Sequence, residues 1–162
     1  MKNQRMLEEL LELMRIDVSS GQETELADCL VKKLEQMGFS ITRDEAGATF
    51  GGVCGNILAV REGEREGVAC FCSHMDRVPG GIGIRPVEDN GILRSSGDTI
   101  LAADDLSGVA AILEGVRQAV ESGKKLPKLE ILFTVGEEAG LYGAKAFDVS
   151  LLMAKTMYVL DS

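Results

Sequence analysis

The sequence predicts an α/β fold with a mixed, mostly parallel sheet and helices on both faces. Three observations support this prediction. Short apolar runs rich in β-branched residues alternate with helical segments along the second half of the chain. Apolar residues recur at helical spacing in those segments, whereas glycines separate the strand-like runs. The resulting order of strand, helix, strand, helix and strand favours a sheet covered by its connecting helices.

The amino-terminal part of the chain contains two predicted helices and three predicted strands. Apolar residues at helical spacing predict a first helix over residues 6–14. The pattern Ser20-x-x-Glu23 is typical of a capping box and predicts the start of a second helix, which we expect to end at Gly38. Short apolar runs predict strands over residues 39–43, 56–60 and 68–73.

The remaining elements begin with a hairpin and continue with the alternating run. Asp89-Asn90-Gly91 between two short apolar runs predicts a hairpin with strands at residues 84–87 and 92–95. The glycines between residues 79 and 83 lack the ending of a phosphate-binding loop and predict turns. Further elements are predicted as a helix over 106–120, a strand over 129–135, a short helix over 140–147 and a strand over 156–160.

Composition excludes two broad classes of partner. The 162 residues include 26 acidic and 17 basic side chains, and a net charge of -9 repels the phosphate backbone of nucleic acids. No run approaches the roughly 20 apolar residues of a membrane span, so we expect a cytoplasmic protein with no membrane partner. The length fits one domain. The four cysteines are expected to be reduced thiols.

Several metal-binding side chains follow predicted strands. His74, Asp104, Glu137, Glu138 and Asp161 each lie at or just after the end of an apolar run. Ligands collect at the carboxyl ends of strands in open α/β sheets, so we expect these side chains to meet in one site. Zinc accepts imidazole nitrogen and carboxylate oxygen, and a bridging carboxylate can hold two ions about 3.5–4 Å apart. Asp104 is the candidate bridge.

Two further roles follow from the spacing of the acidic residues. Asp76 lies two residues after His74, where its carboxylate can accept the second imidazole N–H and fix the tautomer. Glu137 and Glu138 would diverge on extended backbone, but a turn that begins at Gly136 could direct both inward. One could then bind metal while the other takes a proton from water, which indicates metal-assisted hydrolysis of an amide.

Each of these residues alone also has a structural interpretation. A lone histidine is more often a core or surface residue, and acidic pairs are usually solvated, so the joint placement indicates the site. Cys70 and Cys72 share a strand face with His74, which permits a Cys/His metal site, but we favour small core residues. Ser73 cannot form a hydrolase triad with His74, because adjacent side chains diverge on a strand.

Four motifs in order carry a family resemblance. They are Ser-His-Met-Asp at 73–76, Ile-Leu-Ala-Ala-Asp-Asp-Leu-Ser-Gly at 100–108, Phe-Thr-Val-Gly-Glu-Glu-Ala-Gly-Leu-Tyr-Gly-Ala at 133–144 and Tyr-Val-Leu-Asp-Ser at 158–162. From about Met6 to Ser162 the chain resembles the peptidase T-like zinc aminopeptidases. The resemblance implies a zinc-exopeptidase-like catalytic domain. Residues 1–162 would be its amino-terminal portion, without the lid or dimerisation domain and the carboxyl-terminal portion.

The resemblance also implies an activity and a set of roles. The complete protein would hold two zinc ions and hydrolyse short peptides with a free amino terminus, and it could form a homodimer. His74 would bind one ion and Asp161 the other, and Asp104 would bridge the two ions. Glu138 would be a further ligand, and Glu137 would be the general base. The peptide bond that follows Asp104 would be cis.

Departures from the family pattern leave alternatives open. Arg77 and Leu106 stand where the family often has threonine and lysine, which affects expected substrate contacts. A further metal-binding histidine lies late in family chains, whereas this sequence has one histidine. We therefore expect impaired activity from residues 1–162 alone. The alternatives are a related amidohydrolase that removes acyl groups from N-acyl amino acids, and a non-catalytic metal-binding domain.

Overall fold

A computed structural model describes residues 4–161, which form a five-stranded sheet, a separate hairpin and several helices. The α-helices are α1 (Gln4–Met14), α2 (Thr24–Gln36), α3 (Ala103–Glu121) and α4 (Tyr142–Ala146). The strands are β1 (Ser40–Arg43), β2 (Ile57–Arg61), β3 (Val68–His74), β4 (Pro86–Asp89), β5 (Ile92–Ser95), β6 (Lys128–Thr134) and β7 (Met157–Val159). Two 3-10 helices span Ala46–Phe50 and Val149–Leu151.

The large sheet has the strand order β1-β2-β6-β3-β7. β3 lies between β6 and β7 and is parallel to both, whereas β2 is antiparallel to β1 and β6. β2 therefore runs opposite to the other four strands. The predicted fold class, a mixed and mostly parallel sheet with helices, is confirmed. Because β3, β6 and β7 are parallel, their carboxyl ends meet at one edge of the sheet.

Alternate residues of the strands face two different packing layers. Ile57, Ile131 and Phe133 point to one face and are buried with apolar residues of α1, α2 and α3. Leu58 and Leu132 point to the other face. There they form a smaller cluster with Cys72, Phe147, Leu152 and Met157. The long helices thus share one face, and Phe147 and the segment after it cover the other.

The predicted helices and strands are present, with shifts at their ends that are normal for element boundaries. The helix α2 ends as predicted at a glycine. Gly38 has φ of +82°, its N–H donates to Glu35 O, and the N–H of Phe39 donates to Leu34 O. This is the Schellman arrangement, which satisfies carbonyls of the last helical turn. The 3-10 helix Ala46–Phe50 was not predicted, because so short an element has no apolar periodicity.

The predicted capping box at the start of α2 is wrong. The N-cap residue is Glu23, and no side chain accepts a capping hydrogen bond there. Ser20 and Glu23 instead form hydrogen bonds with Asp76 and Gly136, which lie outside α2. The turn that holds Ser20 and Glu23 packs against the loops that follow β3 and β6. A pattern of residue types alone does not distinguish these partners.

The cysteines among the described residues are free thiols. Burial raises the pKa of Cys70 to about 11 and that of Cys72 to about 12, with smaller contributions from nearby groups. Cys72 packs against Leu58 and Leu132, which supports the interpretation of these cysteines as core residues. Between residues 4 and 161, no helix combines the length and apolar character needed to cross a membrane.

Candidate functional site

His74 is the last residue of β3 and lies at the edge where the parallel strands end. The side chain is buried. Nδ1 lies 3.1 Å from the carbonyl oxygen of Asp76, and Nε2 lies 3.1 Å from Oδ1 of Asp104. An Nδ1–H that donates to this carbonyl leaves the Nε2 lone pair directed towards the acidic residues. The ring is therefore oriented as a metal-ligating imidazole requires.

Asp76 connects His74 to the loop that follows β6. Its carboxylate is 1% exposed, and Oδ1 lies 3.5 Å from Nδ1 of His74. The backbone N–H groups of Glu137 and Glu138 donate to Oδ1 at 2.8 Å and to Oδ2 at 3.2 Å. Ser20 Oγ also donates to Oδ2, at 2.5 Å. The hydrogen-bond partner of the imidazole is thus the backbone carbonyl of Asp76, rather than the carboxylate predicted from the spacing, whereas the buried carboxylate fixes the backbone of both glutamates.

The turn after β6 directs two neighbouring glutamates into the site. Gly136 has φ of +58°, a conformation that L side chains rarely adopt. A Cβ at this position would lie 2.5 Å from Cζ of Phe50, so both the conformation and the space require glycine. Oε2 of Glu137 lies 3.9 Å from Nε2 of His74. The turn expected at Gly136 is present, and both glutamates have a carboxylate oxygen near His74.

The first residues of α3, where the backbone of Asp104 and Asp105 is not helical, contribute Asp104 to the site and Asp105 to the interior. The peptide bond between them is cis, as the resemblance implied. The side chain of Asp104 is 54% exposed, whereas Asp105 is buried. Asp105 accepts from Ser73 Oγ and, at 3.1 Å, from the N–H of Gly108, so it caps the helical part of α3.

Two groups of side chains have a geometry that could hold a metal ion. In each group one donor atom per residue lies within 4.8 Å of the others. The first group is His74, Asp104 and Asp161, and the second is His74, Glu137 and Glu138. The predicted metal-ligand residues are therefore close together. The resemblance implied that His74 and Asp161 serve different ions, but the structure places them in one group.

The donor set fits a divalent cation. Three protein ligands with one position left open are typical of catalytic zinc sites, and the first group supplies three. The converging carboxylates repel one another, and a divalent ion would offset that repulsion. Burial, which lowers the pKa of His74, is outweighed by the carboxylates of Asp76 and Asp104, which raise it to about 9. Burial raises the pKa of Glu138, and Asp104 and Glu137 raise it further. The site thus attracts positive charge.

Comparison with known proteins identifies the family of this chain. The family model described as "Peptidase family M28" matches residues 56–161, which is more than half of the chain and includes every residue of both donor groups. The chain belongs to peptidase family M28. Family membership and the geometry of the site agree, because the matched region contains the parallel strand ends where the donor atoms meet.

Relatives of this M28 chain include peptidases of the predicted type. The uncharacterized protein YqjE of Bacillus subtilis is 39% identical over 159 residues, which cover 98% of this chain and 43% of YqjE. The crystal structure of aminopeptidase PepT from Bacillus cereus matches with a TM-score of 0.95 and 37% identity, over 99% of this chain and 43% of PepT. A tripeptidase from Staphylococcus aureus matches with a TM-score of 0.93 and 34% identity, with the same two coverages.

These matches confirm the resemblance to peptidase T-like metallopeptidases. The M28 chain spans 43% of the length of each of these three relatives. Its fold is that of the corresponding part of the PepT structure. Ser162, the last residue of the fourth motif, lies outside the described residues.

The two residues that depart from the family pattern, Arg77 and Leu106, lie in the interior. Leu106 is buried in the core between α3 and the sheet. Arg77 is 1% exposed and donates to the carbonyls of Leu13 and Gly81, each at 3.0 Å. Burial lowers the pKa of Arg77 to about 10, against a nearby carboxylate that raises it. The guanidinium thus joins the end of α1 to the loop after His74, rather than facing the donor groups.

Several residues that hydrogen-bond to the site loops are not predicted from the sequence. Ser20 and Ser73 donate to the carboxylates of Asp76 and Asp105, and Glu23 accepts from the loop after β6. The adjacency of Asp104 and Asp105 gave no sign that one faces the site and the other the interior. The Ser20-x-x-Glu23 pattern did contain two residues that contact the site loops, but its interpretation as a helix cap gave no indication of those partners.

Proposed function

We propose that this M28 chain is the amino-terminal portion of a zinc-dependent peptidase that hydrolyses peptide bonds in short peptides. The observation that carries the proposal is the donor group of His74, Asp104 and Asp161, whose imidazole is oriented by Asp76. Three ligands and an open position are the arrangement of catalytic zinc. The donor groups lie at the edge where ligands collect in open α/β sheets.

Each residue of the first donor group has a distinct role in the proposal. His74 binds through Nε2, because its Nδ1 faces the carbonyl oxygen of Asp76 at 3.1 Å. Asp104, with an exposed side chain 3.1 Å from His74, is positioned to bridge two ions. Asp161 completes the first zinc site. Asp76 acts on the reaction through His74 and holds the glutamate loop in place.

Glu137 is the proposed general base. When bound, zinc lowers the pKa of water and polarises the carbonyl of the scissile amide. The carboxylate of Glu137 is 26% exposed, and its Oε2 lies 3.9 Å from His74 Nε2, so it faces the same space as the donor atoms. Glu137 would take a proton from water and transfer it to the leaving amine. Its backbone N–H donates to Asp76, which restricts its position relative to the imidazole.

The second zinc ion needs more than residues 1–162. Glu138 and the bridging Asp104 are its proposed ligands, and the resemblance implies a further histidine. The only histidine of this sequence is His74, which belongs to the first site. Since the chain spans 43% of its relatives, we propose that the remaining ligand, the lid or dimerisation domain and full activity belong to a longer protein.

Two observations support short peptides as the substrates. Relatives at 37% and 34% identity are an aminopeptidase and a tripeptidase. A groove of about 310 Å³ beside the donor groups is lined by His74, Glu137 and Asp161 together with apolar side chains that include Leu141 and Val159. A groove lined by a few polar groups among apolar side chains suits a small peptide.

The proposal is tested by replacing the general base in the full-length protein. We expect Glu137→Gln to lower kcat for tripeptide hydrolysis by about 10²- to 10⁴-fold while zinc content stays unchanged, because general-base catalysis contributes about that factor. The exposed Glu66→Gln is the matched control and should keep wild-type activity. Unchanged hydrolysis by Glu137→Gln would exclude this role. Hydrolysis of N-acyl amino acids but not of tripeptides would instead support the amidohydrolase.

A further inference from the structure

The turn before α2 contacts two site loops through two side chains. Ser20 Oγ donates to Asp76 Oδ2 at 2.5 Å, from 56 residues away in the sequence. The same carboxylate oxygen accepts the N–H of Glu138 at 3.2 Å. Ser20 thus donates to the same Asp76 oxygen that accepts the backbone N–H of Glu138. The donor supplied by Ser20 restricts rotation of the Asp76 carboxylate.

Glu23 contacts the other end of the same glutamate loop. Its Oε1 accepts the N–H of Gly21 at 2.9 Å and the N–H of Gly136 at 3.1 Å. Gly136 immediately precedes Glu137 and has the positive φ that turns the chain inward. Phe50 packs against the Cα of Gly136, so the carboxylate and the ring restrict this residue from two directions.

The burial of Glu23 indicates that this residue positions a neighbouring group rather than stabilising the fold. The residue is 0% exposed, and Oε2 has no hydrogen-bond partner among residues 4–161. Burial raises the pKa of Glu23, against the backbone N–H donors that lower it. A buried polar oxygen without a partner destabilises a fold, whereas an apolar side chain would not. What Glu23 provides in return is the fixed acceptor for Gly136.

We propose that Ser20 and Glu23 are positioning residues that together fix the metal-binding geometry. Ser20 fixes the Asp76 carboxylate, which lies 3.5 Å from Nδ1 of His74 and accepts from the glutamate backbone, and Glu23 fixes the turn that directs Glu137 and Glu138 inward. This inference rests on the proposed function, since it assigns both residues to the zinc site. One rigid turn therefore sets the separation between the histidine side and the glutamate side of the site.

Zinc affinity of the purified chain tests the inference at the site. We expect Ser20→Ala and Glu23→Ala each to weaken Zn²⁺ binding about 10- to 100-fold, which is typical when the partner of a metal ligand is removed. Glu23→Gln keeps an oxygen that accepts from Gly136, so it should restore most of the affinity. Ser19→Ala and Glu25→Ala remove exposed side chains of the same segment and should bind zinc like the wild type. Wild-type affinity in Ser20→Ala and Glu23→Ala would overturn the inference.

Amide hydrogen exchange of the metal-free chain tests the geometry independently of zinc. Glu23→Ala should speed exchange of the Gly136 amide at least tenfold, and Ser20→Ala that of the Glu138 amide. The amide of Ile131, in the middle of β6, should be unchanged. Equal acceleration at all three amides, or none, would contradict positioning. If the wild-type chain binds no zinc, the proposed function fails, and the exchange pattern alone decides whether the turn holds the loop.

Discussion

At the scale of single residues, Asp76 and Gly136 determine the shape of the site. Burial raises the pKa of Asp76, but hydrogen bonds from His74, Ser20 and the backbone of Glu137 outweigh burial and lower it. The carboxylate therefore stays ionised as an acceptor for several donors. Gly136 supplies the backbone conformation that allows Glu137 to face His74.

Gly136→Ala is expected to lower the free energy of unfolding by about 2–5 kcal/mol. A left-handed conformation costs about 1–2 kcal/mol for a residue with a Cβ, and overpacking costs about 1–3 kcal/mol. The new methyl group would lie 2.5 Å from the Phe50 ring. Urea unfolding of the variant and the wild type measures the difference.

A double mutant separates the two contributions to this loss. Replacing Phe50 by leucine in Gly136→Ala should recover the steric part, so the two substitutions should be non-additive. Gly115→Ala is the matched control, since it lies in α3 with open space around its Cα and should be neutral or stabilising. Strict additivity of the two substitutions would show that the ring does not restrict Gly136.

Site residues can be predicted from the sequence when they follow a strand, but not when their role depends on a partner far away in the sequence. His74 and Glu137 could be predicted because parallel strand ends converge whatever the rest of the fold does. Ser20 could not, because its partner Asp76 is 56 residues away and the same pattern also predicts a local cap. The different fates of Asp104 and Asp105 depend on backbone geometry that spacing does not encode.

At the scale of elements, an alternating cluster of charges joins α1 to α3. Arg5 of α1 donates to both carboxylate oxygens of Glu114 in α3, at 2.8 and 2.9 Å. Arg117 of α3 donates to Glu114 at 3.0 Å and to Glu9 of α1 at 2.6 Å. The hydrogen bond from Arg5 contributes most to lowering the pKa of Glu114 to about 2, and hydrogen bonds from Gln118 and Arg117 lower it further. Burial raises this pKa but is outweighed. The cluster therefore fixes the packing of the two helices.

The stability contribution of Glu114 should depend on pH in a defined direction. Its folded pKa of about 2 lies below the ordinary value of 4.5. The contribution is therefore complete above pH 4.5 and disappears as the pH falls towards 2. We expect Glu114→Gln to cost about 1.5–3 kcal/mol at pH 7, as is typical of hydrogen bonds to charged groups. Urea unfolding should show that this difference from the wild type shrinks between pH 4.5 and 3.

The neighbouring Glu121 provides the control for this experiment. It also accepts from Arg5, but its side chain is 54% exposed, so solvent screens the pair. Glu121→Gln should therefore destabilise the chain less than Glu114→Gln at pH 7. A pH-independent cost for Glu114→Gln would mean that its shape rather than its charge matters. Apolar periodicity predicted both helices, but it did not predict this charge pairing across more than 100 residues.

At the scale of the whole molecule, the two faces of the sheet differ in how they are covered. One face packs against the three long helices, and the other against Phe147 and the segment after it. β7 is an edge strand, and Tyr158 and Val159 are each 59% exposed. Exposed apolar residues on an edge strand favour association between chains.

We therefore expect residues 1–162 to self-associate through this edge. Sedimentation velocity should show a mass that rises with concentration, and Val159→Lys should suppress the rise because a charge on an edge strand opposes pairing. Ile92→Lys is the matched control, since Ile92 is similarly exposed, at 53%, but lies in the separate hairpin. A wild-type chain that stays monomeric across the concentration range would contradict the expectation.

The zinc content of the purified chain after gel filtration, measured by elemental analysis, shows whether the donor group binds metal. We predict about one tightly bound zinc ion per chain, held by the first donor group of three ligands. His74→Ala and Asp161→Asn should each lose that ion while the circular dichroism spectrum stays that of the wild type. A folded wild-type chain that retains no zinc, or a His74→Ala variant that retains it fully, would show that these three side chains do not form a zinc site.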